Sequence, residues 1–246
     1  MKGFIAQCKA ELLRSLRNKR VLFFSIGFPV VFYLIFTSTV GGNTEVGGAA
    51  WKSYYLMSMT AFGLLASSIN SLGVKLAQER AQGWVRLLRI TPLSQPAYFG
   101  SKLVSMSLLN AGIIAIMFLV GYLAKGVHLS AGAWIGCAVW LLFGSLAFLA
   151  LGSLIGLARR VELTQTLATM CQLILAMLGG LWFPTEAMPE AMKTIAQAMP
   201  TYHFAHGTWA VVAGNTPAWS DAVVLAAYLL GFVILSSYIS KKQDAV

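Results

Sequence analysis

Six apolar stretches divide the chain, at about residues 21–40, 53–77, 103–124, 134–158, 163–183 and 218–240. Each is long enough to cross the roughly 30 Å of hydrocarbon in a bilayer as a tilted helix. None carries an ionisable side chain near its middle. Lys75 lies within about one turn of the end of the second stretch and Glu162 at the start of the fifth, where each can reach the headgroup layer. Ahead of the first stretch, Lys2 to Arg20 has helical spacing: Ile5, Cys8, Leu12 and Leu16 share one face, with Glu11, Arg14 and Arg17 opposite. Lys9 falls on the apolar side and would have to snorkel. This segment reads as a helix lying on a membrane surface; a solvated basic leader is the alternative. Pro29 frees a backbone carbonyl inside the first span and predicts a kink there. Gly152 and Gly156, four residues apart, predict close approach of another helix.

The distribution of basic residues turns these spans into a topology. With the N-terminus in the cytoplasm, all Lys and Arg residues fall inside except Lys52, Lys125 and Lys193, as the positive-inside rule requires. Both termini are then cytoplasmic, and the expected location is a bacterial-type inner membrane. A chain of 246 residues that is 58% hydrophobic and 11% charged has far fewer charges than the quarter usual in soluble domains. The net charge of +10 sits at the ends of spans, where anionic headgroups attract it. No basic stripe is free of the membrane, so nucleic acid is not an expected partner. Val21 to Val40 is longer than a signal-peptide core and lacks a convincing cleavage site after it; it reads as a retained span. The fold class is all-α and polytopic, one membrane domain over residues 1–246.

The spans hold little that could do chemistry. A proton-coupled carrier normally needs a buried Asp, Glu or His, and no span keeps one near its centre. Cys8, Cys137 and Cys171 have no CxxC spacing. His203 and His206 share a helical face but have no Asp, Glu or Cys beside them in sequence, so no metal site is expected. No GxSxG motif supports serine catalysis. No GxxxxGK[ST] motif is present to cradle nucleotide phosphates, so no cofactor is expected in this chain. Uphill transport would need energy from another subunit.

The internal segment 78–102 is where such a subunit could act. Trp84, Leu87 and Leu88 recur at helical spacing, Arg80, Arg86 and Arg89 supply charge, and Pro92 ends the helix. A short amphipathic helix here is either a rest on the membrane surface or a lever joined to spans 2 and 3. On the opposite side, residues 184–217 form a long segment in which Met192, Ile195, Ala196 and Met199 oppose Glu190, Lys193 and Gln197, with Pro189 placed for a first helical turn.

Two runs carry a family resemblance. Glu79-Arg80, Gly83, Leu87-Leu88, Thr91-Pro92, Tyr98 and Gly100-Ser101-Lys102 resemble the cytoplasmic loop of ABC-2 type permeases, the membrane subunits of a class of ATP-binding cassette exporters. So do Gly180-Leu181-Trp182-Phe183-Pro184, Met188-Pro189, Ala196, Pro200, Tyr202 and Gly207 beyond span 5. The resemblance implies a six-span half-transporter that pairs with a second copy or a related permease and binds separate ATPase subunits, which hold ATP and Mg. It makes Lys2 to Arg20 a connecting helix. It makes residues 79–92 a coupling helix, with Glu79, Arg80, Gly83, Trp84, Leu87 and Leu88 as partner contacts. The last external segment becomes short helices folded back toward the membrane.

Three functions follow from these features. The first is an exporter subunit for a small amphiphilic or hydrophobic substrate (drug, lipid or peptide-like), non-catalytic itself. Partly by family analogy, its path residues are Ser67, Ser68 and Asn70 on span 2 and Thr169 and Gln172 on span 5, beside Phe62, Met170 and Met177. Each of these polar residues can equally serve as an interhelical hydrogen bond. The second is an ATP-independent channel or carrier working through backbone carbonyls near Pro29. The third is a membrane assembly or signalling partner.

Overall fold

The computed structural model describes residues 2–40, 44–84, 95–158 and 160–244. Helix α1 (Lys2–Arg17) ends where Asn18, in extended conformation, accepts a hydrogen bond from the Val21 amide at 3.3 Å. This is the side-chain capping that starts a new helix. The chain therefore turns at Asn18 and enters the first span, α2 (Lys19–Thr39). The kink expected at Pro29 takes the form of a wide π turn over Phe23–Gly27, after which Pro29 sits in the first turn of the α-helical part, where its missing N–H costs least. The Ser25 carbonyl packs so closely on the next span that a Cβ on Gly63 would fall 2.5 Å from it.

A two-stranded hairpin, β1 (Glu45–Val46) with β2 (Ala49–Ala50), leads into α3 (Trp51–Ala81). Its turn is Gly47-Gly48, both with positive φ, the conformation that tight hairpins demand. Helix α3 is the axis of the molecule. Between Ser53 and Gly73 every residue is buried except Asn70, and 89% of its apolar window is covered, against 6% for the last span. A second π turn, Ala66–Ser71, interrupts it.

The remaining spans are α4 (Gln95–Lys125), α5 (Ala131–Ile155) and α6 (Val161–Leu178). Ser130 starts α5 by accepting from the Ala133 amide at 3.1 Å. The glycine pair in α5 meets α3 backbone to backbone. A Cβ on Gly152 would lie 2.2 Å from the Ser68 carbonyl oxygen, and one on Gly156 would lie 2.9 Å from that of Gly73. Two short helices follow, α7 (Glu190–Ala198) and α8 (Pro200–Val212), and then the sixth long helix, α9 (Trp219–Asp244). Ala196 of the expected α7 stripe is buried, while Ile195 stays exposed.

Helix α1 lies against α4 with its polar face. Glu11 and Ser15 are buried, whereas Ile5 and Leu16, at 61% and 45% exposure, point away from the protein. The reason is the solvent: a helix resting at a bilayer turns its apolar stripe to lipid and its polar stripe to partners in the protein.

Candidate functional site: a buried charge cluster joining three helices

The polar stripe of α1 meets the ends of α3 and α4 in a compact ionic cluster. Glu11 receives Lys75 at 2.6 Å and Lys102 at 3.0 Å. Lys102 also reaches Glu79 at 2.6 Å and lies 4.7 Å from the centre of the Tyr98 ring. The Tyr98 hydroxyl donates to Glu79. Lys75 donates in addition to Ser15 Oγ at 3.1 Å, so it folds back onto α1 where a reach to the headgroups was expected. Ser105 Oγ donates to the Cys8 carbonyl at 3.0 Å, fastening α1 to α4 a turn further along.

Glu11, Glu79 and Lys102 are 1–4% exposed. Buried ions need this mutual pairing, because desolvation of each costs several kcal/mol (a general magnitude). Burial pushes the Glu11 carboxyl up, but the Lys75 hydrogen bond and the charges of Lys102 and Lys75 outweigh it and hold the group below the ordinary carboxylate value. Two carboxylates and two lysines balance in the interior. Arg14, half exposed, adds a bond to Glu79 at 3.1 Å.

The same Arg14 places its guanidinium 5.4 Å from the Trp84 ring centre, which links the cluster to the proposed coupling segment. Glu79 and Arg80 belong to the continuing helix α3, Glu79 turned inward and Arg80 exposed. Gly83 ends that helix at φ +73, with its amide bonded to the Arg80 carbonyl at 3.0 Å. Only a glycine adopts this left-handed cap without strain. Trp84 is 37% exposed. Leu87 and Leu88 lie outside the described residues.

The five expected path residues all gather at the second π turn. Asn70 donates to Gln172 Oε1 and accepts from Thr169 Oγ1 at 3.1 Å, joining α3 to α6. Ser68 Oγ accepts from Asn110 of α4 at 3.2 Å, and Ser67 Oγ is buried without a partner among the described residues. Asn70 and exposed Thr169 mark where α3 reaches the open flank of α6, beside exposed Met170 and Met177. Phe62 is buried and packs between Phe28 and Trp182. π turns within helices occur often at functional sites.

At the opposite end of the bundle the fold brings the two histidines a partner distant in sequence. Asp221, in the first turn of α9, is buried between them, 2.6 Å from His203 Nδ1 and 2.7 Å from His206 Nδ1. The Asp221 hydrogen bond raises the His206 pKa, against the opposing effect of burial. No cluster of three or more potential metal ligands occurs among the described residues.

Sequence reasoning placed Glu11 on the polar face of the first helix without a partner, and it met Tyr98 only within the family-like run. The available signal was the four-residue spacing of Glu11 and Ser15 on that face.

These features define a multi-pass α-helical membrane protein. The family model described as ABC-2 type transporter matches residues 3–212. The chain is also 42% identical over 240 residues to the putative transport permease YvfS of Bacillus subtilis (strain 168), an alignment that covers 98% of each protein. The chain therefore belongs to the ABC-2 type transporter family and is a membrane transporter component. Members of this family generally work with an ATP-binding cassette ATPase.

Proposed function

We propose that this chain is the membrane-spanning subunit of an ATP-driven exporter. It moves a small amphiphilic or hydrophobic substrate (drug, lipid or peptide-like) away from the face that carries both termini, which is cytoplasmic. Separate ATPase subunits bind ATP and Mg. A second copy or a related permease completes the path along α2, α3 and α6, with Asn70, Thr169 and Gln172 on its wall.

The observation that carries this reading is the Glu11, Lys75, Glu79 and Lys102 cluster. It binds α1 and the ends of α3 and α4 into one unit immediately beside Trp84. Force applied at the coupling segment then reaches the π turn of α3 with little local give, because breaking any one ion pair strands a buried charge. Residues 184–217 supply short helices at the exit.

The test is reconstitution in vesicles with the ATPase that co-purifies from native membranes. ATP-dependent accumulation of a lipophilic dye is expected. Trp84→Ala combined with Leu88→Ala should lower it about tenfold, the equivalent of about 1.4 kcal/mol of lost coupling. Equal flux without any ATPase would sink the reading.

A further inference from the structure

The end of the bundle remote from the termini holds a cleft of about 300 Å³, lined in part by Gly47, Glu186, Tyr202, His206, Trp209 and Asn215. Its walls are aromatic. Trp209 stacks on Tyr54 at 4.5 Å, and Tyr202 meets Trp209 edge-on at 6.2 Å. Its acidic charge is a single carboxylate at the rim, and His206, also in the lining, is paired with Asp221. Glu186 is exposed, and its recorded side-chain bond is a long one from Thr185 Oγ1 at 3.5 Å.

Among the described residues no Lys, Arg or His forms an ion pair with Glu186. The nearby imidazoles of His203 and His206 are both committed to Asp221. Gly47 keeps the carboxylate accessible: a Cβ there would stand 3.3 Å from Glu186 Oε1 and 3.9 Å from the Tyr54 ring. Its positive φ of 59° also disfavours any other residue.

A lone carboxylate facing aromatic rings in a small cleft has a specific complement. Ring faces attract cations that shed water easily, and pockets of this size, at the small end of the usual range, suit a head group. A metal ion would want several hard oxygen ligands, and Glu186 is the only carboxylate in the lining. We propose that this cleft binds a monovalent organic cation, its ammonium group held between Glu186 and the rings of Tyr202 and Trp209. The site needs neither ATP nor an ATPase, so it stands or falls separately from the exporter reading.

The experiment uses the full chain in nanodiscs of zwitterionic lipid, with saturation-transfer NMR on the methyl protons of choline and of its uncharged carbon isostere, 3,3-dimethyl-1-butanol. Saturable choline binding is expected, about tenfold tighter than that of the isostere. Glu186→Gln, an exposed change, should abolish that preference, and Glu190→Gln, at an exposed carboxylate outside the cleft, should retain it. The idea is overturned if choline binding is not saturable or if the isostere binds as tightly. Unchanged choline affinity in Glu186→Gln, or displacement by potassium as effective as by tetramethylammonium, would overturn it equally.

Discussion

Lys102 is the residue on which the charge cluster depends most, since it pairs with both buried carboxylates from within the interior, whereas Arg14 reaches them from the half-exposed rim. Lys102→Met keeps most of the side-chain bulk but strands Glu11 and Glu79 with less positive charge. Thermal or chemical unfolding in nanodiscs should register a loss of about 3–5 kcal/mol. Adding Glu79→Gln to that variant should recover part of the loss, because the buried charge is then removed together with its partner. Glu11 adds a pH dependence whose sign is fixed by its lowered pKa. Its contribution is fully present above the ordinary value of 4.5 and is lost as pH falls through the lower value of the folded state. Melting temperature should therefore drop on acidification below about pH 4.5, and Glu11→Gln should flatten that part of the curve.

Among the elements, the contact of α3 with α5 tolerates least. Gly152→Ala drives a methyl group into the Ser68 carbonyl oxygen and should destabilise by about 1–3 kcal/mol. Gly112→Ala on α4, with no atom within 4 Å of its new Cβ, should be neutral or stabilising by about 0.5–1 kcal/mol; unfolding midpoints of the two variants compare them directly. Six spans were legible because hydropathy over twenty residues is a strong signal, and the glycine pair was legible because small residues have few other uses at that spacing. The π turns were not legible. At each of them a serine carbonyl, Ser25 or Ser68, packs on a glycine of the facing helix, a tertiary contact that local propensity does not encode. The polar face of α1 was legible as such, but its partners were not, because Lys75 and Lys102 arrive from 64 and 91 positions further along the chain. Asp221 joined His203 and His206 only through the return of α9, beyond the reach of any spacing rule. The path residues were recognisable as a polar set, and their convergence on Asn70 was visible only once α6 lay against α3.

The whole molecule is asymmetric in charge from end to end, with Lys241 and Lys242 at one end of the bundle and Lys193 at the other. In a background where Cys8, Cys137 and Cys171 are replaced, Lys193→Cys should react with a membrane-impermeant maleimide in intact cells. Gln243→Cys should react only after permeabilisation. The reverse pattern would invert the proposed direction of transport. The molecule also depends on the phase of its central helix. The wide turn at Ala66–Ser71 lies between the hairpin end of α3 and the segment bearing Lys75 and Glu79. A π turn takes up one extra residue within a single wide turn, so the helix on either side keeps nearly its phase. Removing one residue from the ordinary helix that follows, such as Val74, would instead swing everything downstream by about 100°. Lys75 and Glu79 would then face away from Glu11 and Lys102, so an uncharged residue holds the ionic lock in register.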